Sequence, residues 1–270
     1  MSLRIGVIYC GYNTADLLER SLTPWIAARA ARLSGHTFVI CAVSVPFEGF
    51  DHGAEGVDGT PDALLQYQCG EHIDQVLTGI VPQKETEARG AALRYLVEKG
   101  VDVVWQIDSD EIFTAQDITR IATIVEAQPY VAAFRVSYQN LVFDEQHALA
   151  EPFTPMRIHR VYIAGGYRLW GFWDDNNAYY ARSWEQGTAD KTMVRDTDMP
   201  VLTIPPALAN PLHYTWLSNE RSKAKISYQV GRGWECSFRW DEITNQLAFN
   251  EPYYTKRCLP LPEVITLPTA

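Results

Sequence analysis

Residues 101–107 read Val-Asp-Val-Val-Trp-Gln-Ile, and residues 108–111 follow at once with Asp-Ser-Asp-Glu. The first seven residues are rich in β-branched and aromatic side chains, which predicts a buried strand. The polar residues after them indicate that the strand ends in a turn. In an open parallel sheet ligands bind outside the carboxyl ends of the strands, so this acidic turn is the first candidate site.

Helices are predicted on both sides of this strand. Upstream, apolar residues recur at helical spacing from Glu85 to Lys99, and Gly100 stands where a helix C-cap belongs. Downstream, Thr114 and Asp117 form a capping-box pattern ahead of an apolar series that starts at Ile118. The strand is therefore expected to lie between two helices in the chain.

The N-terminal region repeats the same alternation. Ile5–Cys10 is a continuous apolar run, and Asn13 or Thr14 can cap a helix that continues to about Leu33. Thr37–Val45 predicts a second buried strand. Strands that alternate with helices indicate an α/β fold with a mainly parallel sheet covered on both faces.

The texture of the sequence changes near residue 130. Six of the eight tryptophans lie at or after position 170, and the strands predicted there are shorter. We expect residues 1–130 to form a nucleotide-type half and residues 131–270 to form an irregular, aromatic-rich half of the same domain. A short helix is expected after Ser218, and an extended tail from Leu259. The interval Pro46–Pro61 is expected to be a long loop.

Composition excludes several classes of protein. The five cysteines include no Cys-x-x-Cys pair, so a disulfide framework or a cysteine zinc site is not expected. The formal charge of -10 argues against nucleic acid as a partner. No apolar run approaches the ~18 residues that span a bilayer, so we expect a cytoplasmic protein. A phosphorylated substrate would need a cation or a local basic patch to bind to so acidic a protein.

The acidic turn can bind such a cation. Asp108 and Asp110, one residue apart at a strand end, can both approach one Mg²⁺ or Mn²⁺ while diphosphate oxygens complete its octahedron. An Asp-x-Asp pair also arises by chance in a chain of this length. The second pair, Asp196 and Asp198, is assigned to a solvated loop. A metal role is favoured for the first pair because Thr114 and Asp117 already cap the next helix.

The sequence resembles the family 2 glycosyltransferases. The motif at residues 107–111, the Cys10-Gly11-Tyr12-Asn13 stretch after the first strand and the helix that contains Arg89 are similar to that family, over roughly residues 4–128. The resemblance implies a GT-A fold, a nucleoside-diphosphate sugar donor, a divalent metal, and inverting transfer to an acceptor hydroxyl. It favours a UDP-sugar and a hexosyltransferase-like enzyme.

The resemblance also implies roles for single residues. Tyr12, Asn13, Ser44, Arg89 and Asp108 are assigned to the nucleotide donor, although the chain lacks the family's acidic base-reading residue after the second strand. The later His-Tyr pair is similar to one found in many GT-A enzymes.

That pair places His213 beside the metal, with Asp108 and Asp110. A histidine fixed by ordinary hydrogen bonds is the alternative. Arg221, Lys223 and Lys225 either contact phosphate or form a solvated basic face.

The acceptor side is expected around residues 170–177. Flat aromatic side chains suit the C–H faces of sugars, and Asp174 or Asp175 can accept the proton of an acceptor hydroxyl. An aromatic core edge with a polar turn is the alternative. A nucleotidyltransferase, a non-catalytic carbohydrate-binding protein and a hydrolase with paired carboxylates remain open as other functions.

Overall fold

The computed structural model describes twelve segments of the chain: residues 2–49, 58–142, 144–149, 152–163, 165–172, 177–182, 193–216, 219–231, 238–241, 243, 246–249 and 258–260. The helices are α1 (Ala15–Ala31), α2 (Thr60–Cys69), α3 (Glu85–Glu98), α4 (Ala115–Ala127) and α5 (Asn219–Gly231). The first strands are β1 (Arg4–Cys10), β2 (Thr37–Ser44), β3 (Gln75–Thr78), β4 (Val103–Asp108), β5 (Glu111–Ile112), β6 (Ala133–Val136), β7 (Gln139–Val142), β8 (Asp144–Leu149) and β9 (Met156–Arg160). The later strands are β10 (Tyr162–Ile163), β11 (Tyr167–Phe172), β12 (Ala178–Arg182), β13 (Met193–Arg195), β14 (Val201–Ile204), β15 (Leu212–Trp216), β16 (Phe238–Asp241), β17 (Gln246–Phe249) and β18 (Cys258–Pro260).

A seven-stranded sheet forms the centre, in the order β14-β6-β9-β4-β1-β2-β3. β4, β1, β2 and β3 are mutually parallel, as are β14 and β6, whereas β9 is antiparallel to both of its neighbours. The α/β class is therefore confirmed. β9 belongs to the second half of the chain, yet it lies next to β4, the strand that ends in the acidic turn.

Both faces of the central sheet are covered. On one face α1, α2 and α4 pack over apolar residues of β1, β2 and β4. There the fully buried Trp25 ring meets Trp105 and Phe113 edge-on, at centroid distances of 4.7 and 5.2 Å. On the other face lie α3 and residues of β11 and β12. This two-sided burial explains why β1 and β2 are continuous apolar runs.

Two smaller sheets matter for the site. A five-stranded sheet has the order β18-β8-β7-β15-β5, and its edge strand β5 starts at Glu111, the last residue of the acidic turn. A four-stranded sheet has the order β10-β11-β12-β13 and packs on α3. No helix in the described part of the chain has both the length and the apolar character required to cross a membrane.

Several predicted elements are confirmed. β1, β2, β4 and α3 lie within a residue or two of their expected bounds, and α4 begins with the expected capping box between Thr114 and Asp117. Gly100 follows α3 with a φ of 70°. A glycine adopts this left-handed backbone without a steric penalty, as expected at the end of a helix.

Other expectations are corrected. Thr14 stands at the N-cap of α1, but its side chain makes no capping hydrogen bond; Asp58 accepts from the Ala15 N–H instead, at 2.8 Å. α2 begins inside the interval predicted to be a loop. The short strands expected after residue 130 are present as β6 to β18. Asp196 is fully buried in a short 3-10 helix and accepts from the Ala178 N–H at 2.7 Å, so it does not lie in a solvated loop.

Candidate functional site

The acidic turn lies at the carboxyl end of the buried strand β4. A backbone hydrogen bond joins the turn to the neighbouring strand: the Ser109 N–H donates to the Cys10 carbonyl at the end of β1, at 2.8 Å. Between these strand ends the backbones lie close. A Cβ added at Gly11 would lie 3.3 Å from the Ser109 Cβ and 3.1 Å from the Tyr9 ring, so a larger residue would displace the turn.

Asp108 lies between two buried arginines. Arg89 Nη2 of α3 is 2.7 Å from Oδ1, and Arg157 Nη2 of β9 is 2.8 Å from Oδ2. Burial alone would raise the pKa of Asp108, but the two guanidinium groups outweigh that effect and lower the pKa to about 2. The side chain is therefore an anion that already has a cation on each oxygen.

Glu111 is a second acidic side chain of the turn and is fully buried. Its Oε1 accepts from Arg157 Nε at 2.9 Å, and its Oε2 accepts from the Tyr138 hydroxyl at 3.0 Å. Burial outweighs the lowering effect of Arg157 and raises the pKa of Glu111 to about 7. Arg157 thus joins Asp108 and Glu111 in one buried cluster.

A polar relay leads from this cluster through the central sheet. Arg89 Nη1 donates to Gln106 Oε1 at 3.1 Å, Gln106 Nε2 lies 3.1 Å from His159 Nε2, and His159 Nδ1 lies 3.6 Å from Asp196 Oδ2. A guanidinium can only donate, so Gln106 turns its oxygen to Arg89 and its NH₂ to His159. His159 consequently accepts at Nε2 and carries its proton on Nδ1, toward Asp196. Burial lowers the pKa of His159 to about 3, which keeps the ring neutral.

Asp110 and His213 meet above the cluster. β15 runs antiparallel to β5 with His213 opposite Glu111, and the Tyr214 N–H donates to the Asp110 carbonyl at 2.8 Å. This pairing brings His213 Nε2 to 3.6 Å from Asp110 Oδ2. The Asp110 side chain is 20% exposed, so the pair borders solvent.

The orientation of the His213 ring is fixed from behind. Nδ1 lies 2.9 Å from Asn140 Oδ1, and the ring stacks on Phe153 at a centroid distance of 4.9 Å. Burial lowers the pKa of His213 to about 4, so the ring is neutral. With its proton on Nδ1 toward the Asn140 oxygen, the ring directs the Nε2 lone pair toward the Asp110 carboxylate.

α5 brings a cation to the same region. The helix packs against β15, and its Tyr228 hydroxyl lies 3.5 Å from Glu85 Oε2, which belongs to the carboxylate that pairs with Arg89. Lys225 is one helical turn before Tyr228. Burial has the largest influence on the pKa values of Asp108 and His213, and the charge of Lys225 lowers both. Lys223, by contrast, lies over the Trp240 ring at 4.2 Å.

The structure brings together only part of the predicted site. Asp108, Asp110, His213 and Arg89 converge at the end of β4, but Ser44 is fully buried in β2. Asn13 has a φ of 55°, and its Oδ1 accepts from the Asp58 N–H at 3.1 Å. Tyr12, just before it, is half-buried.

The predicted bases lie outside this picture. Asp174 and Asp175 belong to residues 173–176, which lie outside the described residues.

Sequence reasoning missed Arg157, Asn140 and the function of Glu111. One feature of the sequence could have indicated Arg157: the stretch Met-Arg-Ile-His-Arg has three basic residues in a β-strand pattern. The structure shows that all three side chains are buried. Buried charges are found with partners, so basic residues in such a strand indicate buried acids nearby. Within the described residues, no group of three or more His, Cys, Asp or Glu side chains is arranged to hold a metal.

Comparison with known proteins finds distant structural similarity and no related sequence. No family model and no curated protein matches the chain. Among solved structures the chain is similar to S. aureus TarS, at 14% identity and a TM-score of 0.39 over 58% of this chain and 28% of that chain. TarS 1–349 in complex with UDP-GlcNAc aligns at 13% identity and a TM-score of 0.35, over 54% of this chain and 39% of that chain. The complex with UDP aligns at 14% and 0.39, over 58% and 47%. The chain spans less than half of each of these TarS chains.

Proposed function

We propose that the chain is a metal-dependent glycosyltransferase of the GT-A kind, which transfers a sugar from a nucleoside diphosphate, UDP being favoured, to an acceptor hydroxyl. One observation carries the proposal: the Asp110 carboxylate and the His213 imidazole face each other at 3.6 Å beside the end of the central parallel strand β4. Ligands of open α/β sheets bind at this position.

The Asp110–His213 pair fits a divalent cation. A separation of 3.6 Å is long for a hydrogen bond, and a small inward movement of either side chain would let both bind one ion at ~2.1 Å. The Asn140 oxygen behind Nδ1 is the second-shell partner typical of a metal-binding histidine. Water and diphosphate oxygens would complete the coordination of Mn²⁺ or Mg²⁺. A metal there would act as a Lewis acid toward the departing nucleoside diphosphate.

In this proposal Asp108 and Arg89 differ from their sequence-based roles. Both oxygens of Asp108 are bonded to buried guanidinium groups, so we assign it to hold the turn in place and not to ligate the metal. Arg89 is 1% exposed and bonded to Glu85, Gln106 and Asp108, so it supports the site from below and does not contact the nucleotide.

Lys225 supplies the second positive charge that the donor needs. The protein carries a formal charge of -10, and a diphosphate approaching this strand end meets the Asp110 carboxylate. Lys225 lies on α5, which packs against β15, the strand of His213, so we propose that the diphosphate binds between the metal and this ammonium group. Asp174 or Asp175 remains our proposed base for inverting transfer.

The proposal is tested by a thermal-shift screen of nucleoside diphosphates and their sugar conjugates, with Mn²⁺, Mg²⁺ or EDTA. We expect UDP to raise the melting temperature with Mn²⁺ and not in EDTA, because a ligand at ~100 times its Kd stabilises the fold by ~2.7 kcal/mol. Hits are then assayed for release of UDP in the presence of acceptor sugars. Nucleoside triphosphate binding with release of pyrophosphate would establish a nucleotidyltransferase instead. Unchanged UDP affinity in EDTA would remove the metal from the proposal.

A further inference from the structure

The four-stranded sheet β10–β13 has one face on the core and one face directed outward. Leu169, Phe172 and Tyr180 point to the core, where they pack with α3. Cross-strand pairing places six side chains on the other face: Tyr162, Arg168, Trp170, Tyr179, Ala181 and Arg195. We call this set the aromatic–arginine face.

The chemistry of this face differs from that of the protein as a whole. It holds three aromatic rings and two guanidinium groups, and none of its six described positions is acidic, although the chain has a formal charge of -10. Trp170 is 60% and Tyr162 58% exposed. The Arg168 guanidinium lies over the Tyr162 ring, 5.5 Å from its centroid. Flat apolar rings and cations are therefore presented together to solvent.

A β-bulge shapes the middle of the face. Leu169 pairs with Tyr180 and Gly171 pairs with Tyr179, so Trp170 and Gly171 together stand opposite one residue of β12. A bulge redirects side chains and is a common feature beside binding sites. A Cβ added at Gly171 would meet no atom within 4 Å, which leaves open space beside the exposed indole.

We propose that the aromatic–arginine face binds a carbohydrate chain that carries acidic groups. The apolar C–H face of a sugar ring stacks on an indole or a phenol, and a guanidinium matches a carboxylate or a phosphate with two parallel hydrogen bonds. Two arginines suit a sparsely charged chain, whereas a nucleic acid would be repelled by the rest of this acidic protein.

The face is connected to the candidate site through β11. That strand ends at Phe172, whose ring centroid lies 5.7 Å from that of His159 in the buried relay. Trp170 lies two residues before Phe172 on the same strand, on its outward face. The function of the aromatic–arginine face as an acceptor surface rests on the proposed glycosyltransferase activity, but its binding can be measured without any donor.

The test is isothermal titration calorimetry of the full chain with four probes: an oligogalacturonate hexamer, a phosphorylated mannan oligosaccharide, neutral maltohexaose, and a 12-mer of deoxythymidine. We expect at least one acidic carbohydrate to bind, more weakly at high salt, and to bind about tenfold more tightly than maltohexaose or the deoxythymidine chain. The two acidic probes distinguish carboxylate from phosphate recognition. Failure of both to bind, or equal binding of the neutral or the nucleic acid chain, overturns the proposal.

Variants locate the binding. Trp170→Ala and Arg168→Gln should each weaken acidic-carbohydrate binding about tenfold. Gly171→Val should weaken it as well by filling the open space, without strain, since no neighbour lies within 4 Å. Tyr130→Ala removes an aromatic ring that is 83% exposed elsewhere and should change nothing. Equal effects of Tyr130→Ala and Trp170→Ala would refute the location.

The same variants are titrated with UDP and Mn²⁺, for which their affinity should equal that of the wild type. If the wild-type protein does not bind UDP but binds an acidic carbohydrate, the glycosyltransferase proposal is wrong and the proposal for the aromatic–arginine face stands. Intact UDP binding with no carbohydrate binding would do the reverse.

Discussion

Asp108 and Asp110 are one residue apart, but their surroundings differ. Asp108 is bonded to Arg89 and Arg157, whereas Asp110 faces His213 at the solvent boundary. A carboxylate that neutralises two buried cations stabilises the fold. In our proposal the Asp110 carboxylate, beside a neutral imidazole, serves as a metal ligand. Their spacing in the sequence suggests the same role for both aspartates, but their different partners show that the two are not interchangeable.

We predict opposite effects of the two Asp→Asn substitutions. Asp108→Asn should lower the metal-free stability by about 2–4 kcal/mol, because two buried guanidinium groups lose their shared anion. Asp110→Asn should leave that stability unchanged or slightly higher and should abolish Mn²⁺-dependent UDP binding. Urea unfolding without metal and UDP titration with Mn²⁺ measure the two effects. A destabilised Asp110→Asn protein beside an unaffected Asp108→Asn protein would reverse these assignments.

His159 gives a pH prediction that is independent of any ligand. The folded protein lowers its pKa to about 3, whereas a histidine in an unfolded chain titrates near ~6.5. Unfolding therefore takes up a proton below pH ~6.5, so this contribution to stability is complete above that pH and is lost as the pH falls toward 3. At about pH 4.5 the loss amounts to about 2–3 kcal/mol.

The measurement compares the free energy of unfolding at pH ~7 and ~4.5 for the wild type and for His159→Gln. Other titrating groups are shared, so the wild type should lose about 2–3 kcal/mol more than the variant over this range. An identical loss in both proteins would show that His159 is not kept neutral by the fold.

At the scale of elements, α5 carries two neighbouring lysines with different surroundings. Lys223 and Lys225 are two residues apart, so they project from different sides of the helix. Lys223 lies over the Trp240 ring. Burial has the largest influence on the pKa values of Asp108 and His213, and the charge of Lys225 lowers both. The sequence placed both in one basic group, and the helix separates them.

This separation provides a matched pair of variants. Lys225→Ala should weaken Mn²⁺-dependent UDP binding about tenfold, because the diphosphate loses one charge-assisted contact. Lys223→Ala should leave UDP affinity unchanged. Titration calorimetry at one salt concentration measures both. If the two variants behave alike, α5 makes no specific contact with the donor.

At the scale of the whole molecule, β9 connects the two halves of the chain. It lies between β4 and β6 in the central sheet, and its Arg157 is the cation for both Asp108 and Glu111. β6 and β14 extend the same sheet from the second half. The acidic turn of the first half is therefore stabilised by residues from the second.

We predict that a chain ending at residue 130 does not fold cooperatively. It would expose the edge of β4 and leave the buried Glu111 carboxylate without its guanidinium partner, and either effect costs several kcal/mol. Thermal unfolding followed by circular dichroism should show no cooperative transition for this fragment and a clear one for the full chain. A cooperative transition in the fragment would mean that the first half folds without β9.

The sequence by itself determined the α/β class, the strands β1, β2 and β4, the helix α3, the capping box of α4 and the location of the acidic turn. These features depend on periodicity and on residues close together in the chain, so local patterns suffice to predict them. Only the tertiary structure decided which aspartate is bonded to arginines, because Arg157 lies 49 residues after Asp108.

The same reason applies to Asn140 behind His213, and to Asp196, which the sequence placed in solvent and the fold buries beside His159. The function of a charged side chain depends on its burial and its partners, and both are set by contacts between strands that are distant in the sequence.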